Sequence, residues 1–287
     1  MLAVLKKELK LYFSTTTGYI FMGFFLLLSG FFFAVSNVLS ASPQYSSTLG
    51  SITFIFLIAV PILTMRLITE EAKQKTDQLL LTSPLTLSGI VVGKFLAAVI
   101  VFFITLLITC LFPILLSFYG TIALWETVGA YVGFFFLGCS FIAVGLFISS
   151  LTENQFVAAV STFSALLLVW VMDWVKSVLP TDKLAGFIFV LAIVVGIAVW
   201  LFFTIRNIFV SVGLGLIGIA VSVFAYFKYS SFYERIIVRF IDWFSLIKRY
   251  QEFSIGIFNL SSVVYYLTFC FAFIFLTIRV LEKRRWS

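Results

Sequence analysis

The side chains able to do chemistry in this sequence cluster in TEEAKQKTDQLLLTSPLTLSGIVVGK, residues 69–94, a polar stretch between two strongly apolar runs. Glu70, Glu71, Lys73 and Lys75 bring fixed charges of both signs into a few positions. Such a set suits docking through ion pairs, not bond-making. The chain has no histidine, which excludes zinc sites of the HExxH type and Ser-His or Cys-His nucleophiles. Cys110, Cys139 and Cys270 all sit inside apolar runs and read as small buried hydrophobes, not as disulfide partners or metal ligands. No G-x-x-x-x-G-K-[ST] loop is present, so the chain does not cradle nucleotide phosphates itself. An intramembrane enzyme would need paired aspartates within the apolar runs, and the sequence offers none.

The elements that position these charges must live in lipid. Of 287 residues, 62% are hydrophobic, 11% are charged and 37 are Phe, too little charge to cover a soluble domain of that length. Continuous apolar runs of about 20 residues satisfy their backbone in a bilayer only as helices, and the short alternating segments of a transmembrane barrel are missing. The expected class is all-α and polytopic. The net charge of +7 arises from Lys and Arg beside apolar runs, which the positive-inside rule explains without nucleic acid.

Residues 1–17 predict an interfacial helix, with Leu2, Leu5, Leu9, Tyr12 and Phe13 on the lipid face and Lys6, Lys7 and Lys10 largely opposite. Spans one and two occupy 18–68, joined by an uncharged loop at 40–50, and Pro61 should bend the second. Spans three to five occupy 95–175, with Pro113 interrupting the third. Gly129 and Gly133 form a GxxxG in the fourth, read as internal packing. Asp173 at the end of the fifth reads as a solvated interface residue. Residues 184–227 predict a two-helix hairpin with Arg206 at its tip. Residues 228–259 alternate charge and apolar side chains at helical spacing, predicting an amphipathic segment along the outer membrane surface. A last span at 260–280 leads into the basic tail 281–287. With both basic termini in the cytoplasm the spans must be even in number, and eight are expected.

Within the polar stretch, Glu70–Leu81 predicts a helix with Thr69 as its N-cap and acids at its positive end. Thr82, Ser83 and Pro84 then stop it, and Ser88 caps the lead-in to the third span.

On these residues the sequence resembles the ABC-2 type permeases of ABC transporters. The matching positions are Glu70, Glu71, Thr76, Leu79, Leu80, Thr82, Ser83, Pro84, Gly93 and Lys94, with Lys75 standing where the family usually has Gly and Gln78 where it often has Glu. SSLTENQFVAA at 149–159 resembles the family's second cytoplasmic turn, and VVYYLTFCFAFIFLTIRVLEKRRW at 263–286 its last helix and tail. The gliding-motility-associated permeases are the subgroup it resembles most. The resemblance implies a six-helix core with 184–227 as an added hairpin.

It also implies a non-catalytic permease subunit in the cell membrane. ATP and Mg would be bound on separate ABC ATPase subunits, beside a second permease copy or homologue, membrane lipids and an extracellular accessory subunit. The implied ATPase-coupling residues are Glu70, Glu71, Lys73, Lys75, Thr76, Leu79, Leu80, Pro84 and Glu153. Spans dense in Phe and poor in ionisable groups suit a lipid-like, peptide or other amphiphilic export substrate, or mechanical work on an outer partner, better than a small ion. An ion-coupled secondary transporter and a membrane scaffold for a motility or secretion complex are the alternatives; the first would need intramembrane acids and an inverted repeat.

Overall fold

The computed structural model describes residues 1–75, 86–176, 178–205, 208–229 and 232–286. Among them there are helices and turns and no strand, as long apolar runs in lipid require. Among the described residues, seven helical stretches are long and apolar enough to cross a membrane: Thr16–Leu39, Tyr45–Lys73, Leu87–Ser117, Leu124–Leu151, Gln155–Val175, Lys183–Phe203 and Leu260–Arg284. Eight spans were expected; Val212–Lys228, in the place of one of them, is apolar but shorter than these seven. The chain is an all-α, multi-pass membrane protein.

It divides into two compact units, residues 1–169 with 246–287, and residues 170–245. In the first, α1 (Leu2–Ser14) precedes α2 (Thr16–Phe33), which widens into a π-helix at Ala34–Leu39. The widened turn holds Asn37, buried, whose side chain bonds the Ser42 carbonyl at 2.9 Å and accepts from Thr48 Oγ1 at 2.6 Å. The second span is segmented: α3 (Tyr45–Ile52), a 3-10 turn at Thr53–Ile55, α4 (Phe56–Thr64) and the short α5 (Thr69–Lys73). The break at 53–55 lies less than two turns before Pro61, with Thr53 Oγ1 donating to the Gly50 carbonyl at 2.7 Å. The third span is α6 (Leu87–Thr109) and α7 (Leu111–Ser117); it is interrupted three residues before Pro113, where the proline ring crowds the preceding turn.

The hub of this unit is α8 (Leu124–Leu151). It packs against α3, α4, α6, α13 (Leu246–Ser254) and α14 (Leu260–Trp286). Glycines permit the closeness: a Cβ on Gly129 would meet the Phe253 carbonyl oxygen at 2.5 Å, and one on Gly133 would meet Phe253 Cβ at 2.6 Å. The GxxxG is therefore internal packing. Around α8, Phe25, Phe56, Phe102 and Phe134 are fully buried and meet with ring centroids 4.5–6.3 Å apart. These four phenylalanines are core packing, whereas Phe103, Phe118, Phe203 and Phe271 are among the many that remain exposed.

The predicted surface segment at 228–259 needs correction over 246–254. It forms two helices, α12 (Ile236–Phe244) and α13, and α13 buries Leu246, Tyr250 and Phe253 in the first unit. Tyr266 Oη donates to the Leu246 carbonyl at 2.7 Å, and Arg249 lies over the Tyr265 ring at 3.8 Å. Helical periodicity announces an apolar face but not whether protein or lipid covers it.

The second unit takes in the end of α9 (Gln155–Val175), then α10 (Lys183–Ile205), α11 (Ile208–Lys228) and α12. The helices α10 and α11 pack side by side. Arg206, expected at the hairpin tip, lies outside the described residues. Asp173 is not a solvated residue: it pairs with Lys176, accepts from Ser245 Oγ at 2.7 Å, and its side chain is 18% exposed. Lys176 also pairs with Asp242 at 2.8 Å.

Candidate coupling site

The described parts of the polar stretch, 69–75 and 86–94, are tightly held. Thr69 does not cap a helix; its hydroxyl donates back to the Met65 carbonyl, and Ile68 occupies the cap position. The helix that begins there is α5, which ends at Lys73; the rest of the helix expected to Leu81 lies, beyond Lys75, outside the described residues. Lys75 ends the turn with φ +54°, the left-handed region where a side chain with a Cβ is strained and glycine is not. Thr76, Gln78, Leu79, Leu80, Thr82, Ser83 and Pro84 lie outside the described residues. The third span then begins early, at Leu87. Thr86, not Ser88, is its cap, accepting from the Gly89 backbone N–H at 3.2 Å.

Of the charges in α5 and the turn that follows it, Lys73 and Lys75 are exposed and Glu70 is half-buried. Glu71 is turned inward. Its Oε1 is 2.9 Å from Lys7 Nζ on α1, and its Oε2 is 2.9 Å from Lys94 Nζ on α6. Lys94 also donates to Glu8 Oε1 at 2.8 Å and to the Leu67 carbonyl at 2.6 Å. The side chains of Lys94 and Glu8 are 3% and 5% exposed. Burial alone would lower the pKa of Lys7, but its hydrogen bond to Glu71 and the nearby carboxylates outweigh that and raise it.

The helix α1 reaches this position because Val4, Glu8 and Tyr12 share one face, i, i+4 and i+8, and that face is buried. Tyr12, expected among the lipid-facing residues, is inside, its Oη donating to the Leu63 carbonyl at 2.7 Å. Gly93 admits α1: a Cβ there would come within 3.2 Å of the Met1 carbonyl oxygen and Val4 Cβ. Glu153 is exposed in the turn between α8 and α9.

Sequence reasoning missed Glu8 and the role of Lys94. The signals were present: one acid within the basic run KKELK, and one lysine within the apolar run IVVGKFLAAV. A lysine placed so deep in an apolar helix must find an anion or shed its charge.

The sequence model of the family described as ABC-2 family transporter protein matches residues 38–183, just over half of the chain. This chain belongs to the ABC-2 transporter family. It is accordingly a permease component of an ABC transporter. A comparison with curated proteins returns no match. The matched region of this ABC-2 protein contains Glu71 and Lys94, whereas Lys7 and Glu8 precede it. The buried ion pair thus joins α1 to the family region.

Proposed function

We propose that this chain is the membrane subunit through which separate ABC ATPase subunits drive export of a lipid-like, peptide or other amphiphilic substrate, or work on an extracellular partner. Two permease copies, or one with a homologue, make the complex. The observation that carries this reading is the short helix α5 with the turn after it, which displays Lys73 and Lys75 outward with Glu70 half-exposed beside them, while Glu71 is anchored within the fold. A charged knob on a rigid mount suits an element that receives force. ATP and Mg belong to the ATPase, since the sequence has no phosphate-binding loop.

In this reading α5 and the Glu153 turn face the cytoplasm, as do both basic ends, and the membrane is the cell membrane. Closure of the ATPases displaces α5, and the spans switch the pathway as packed bodies with two arrangements. The resemblance at 149–159 and 263–286 supports a place beside the gliding-motility-associated permeases. Residues 184–227 would then be a hairpin added to a six-helix core.

The test separates docking from folding. Reversing charge at Glu70, Lys73 and Lys75 together, with Glu71 untouched, should abolish co-purification of the ATPase while the permease still elutes as one sharp species in detergent. Undiminished co-purification would overturn the assignment of α5 as the docking element.

A further inference from the structure

Lys94 has three N–H bonds to give, and three oxygens stand around it. Glu8 Oε1 lies 2.8 Å from its Nζ, Glu71 Oε2 2.9 Å and the Leu67 carbonyl 2.6 Å. The three acceptors come from three pieces of chain: α1, α5 and the turn that closes the second span. Glu71 is itself shared, through its other oxygen, with Lys7 of α1. Among the described residues, the carboxylates of Glu8 and Glu71 thus meet the ammonium groups of Lys94 and Lys7. With Lys94 and Glu8 almost wholly buried, water cannot replace a partner that leaves.

The backbone packing reinforces the arrangement. Gly93 on α6 faces Met1 and Val4 at the start of α1 closely enough that an added Cβ would meet the Met1 carbonyl oxygen and Val4 Cβ at 3.2 Å, and Gly89, one turn earlier, lies within ordinary contact distance of Met1. Tyr12 fastens the far end of the same face of α1 to the Leu63 carbonyl.

We propose that Lys94 and Glu8 are positioning residues for coupling: they lock α5, α1 and the first turns of α6 into one rigid body. Displacement received at the exposed charges of α5 then passes into the third span through Lys94. This inference rests on the coupling reading above. It assigns Glu71 to the mount, leaving Glu70, Lys73 and Lys75 as the contact surface.

The experiment places spin labels at the exposed positions Lys10, Gln74 and Ser88, in a background with Cys110, Cys139 and Cys270 changed to Ala. Distances are measured by pulsed electron resonance in the complex with its ATPase, nucleotide-free and trapped with ATP and vanadate. The 10–74 and 74–88 distances should keep their positions and widths while the 74-to-74 distance between copies shifts. A 74-to-74 shift accompanied by equal changes at 10–74 or 74–88 would overturn the rigid body and leave coupling standing. No 74-to-74 shift would overturn the coupling reading, and the joint with it.

Lys94→Met should broaden both short distances, and Lys94→Arg should restore them in part. Glu8→Gln keeps the shape of the side chain while removing its charge, and it decides the matter if Lys94→Met does not fold. Short distances that stay sharp in Glu8→Gln would overturn the role of the ion pair.

Discussion

Lys94 Nζ and Glu8 Oε1 lie 2.8 Å apart although 86 positions separate them in the chain. Removing one partner strands the other charge in the interior, which costs about 3–5 kcal/mol, whereas replacing a whole buried cluster with apolar groups can be neutral. Lys94→Met alone should therefore lower the thermal unfolding temperature in detergent sharply. Adding Glu8→Met and Glu71→Gln to it should recover much of the loss. A single variant as stable as the native chain would contradict the burial of this pair.

Lys75 holds φ +54° at the end of α5, where a residue with a Cβ gives up about 1–2 kcal/mol relative to glycine. Lys75→Gly should be neutral or stabilising, and Lys75→Val clearly destabilising, in the same thermal assay. The resemblance to a family that usually carries glycine here acquires a physical cause: the turn after α5 is left-handed.

Tyr12→Phe removes the hydroxyl that bonds the buried Leu63 carbonyl. The cost should be about 1–3 kcal/mol, because the carbonyl at the end of α4 loses its partner without gaining water. Limited proteolysis should show α1 cleaved sooner, since Tyr12 fastens one end of it.

Most spans were readable in the sequence because a long apolar run in lipid has one outcome; the fourth and fifth, legible as the apolar runs 125–150 and 156–175, form the helices Leu124–Leu151 and Gln155–Val175. The polar stretch was readable as a site but not in detail. Two apolar arcs can be drawn on α1, and the one through Leu5 and Leu9 hid the buried one through Val4, Glu8 and Tyr12. Ser88 and Thr86 are both capping types, and only backbone geometry chooses between them. The burial of α13 depends on Gly129 and Gly133, more than 110 positions away. A periodicity measured inside 246–254 contains no trace of them.

Alkaline pH should loosen the mount of α5. The pKa of Lys7 is raised above the ordinary 10.5, the pull of Glu71 outweighing burial. A raised lysine contributes stability that is fully present below the unfolded value of 10.5 and is lost as pH rises through the higher folded value. Lys176, raised through Asp173 and Asp242 against the effect of burial, acts in the same sense in the second unit. Unfolding temperature measured against pH should show no loss from these lysines between about pH 6 and 9 and a decline above 10.5. Lys7→Met should flatten part of that decline.

Gly133→Ala should destabilise by about 1–3 kcal/mol through overpacking against Phe253, while Gly23→Ala, which meets nothing within 4 Å, should be neutral. The pair also constrains how this protein can diverge. A substitution enlarging position 133 is tolerable only where position 253 shrinks or its helix shifts, so the two sites should change together among descendants of this sequence. Their interdependence would be recorded as covariation between the fourth span and the helix that precedes the last one.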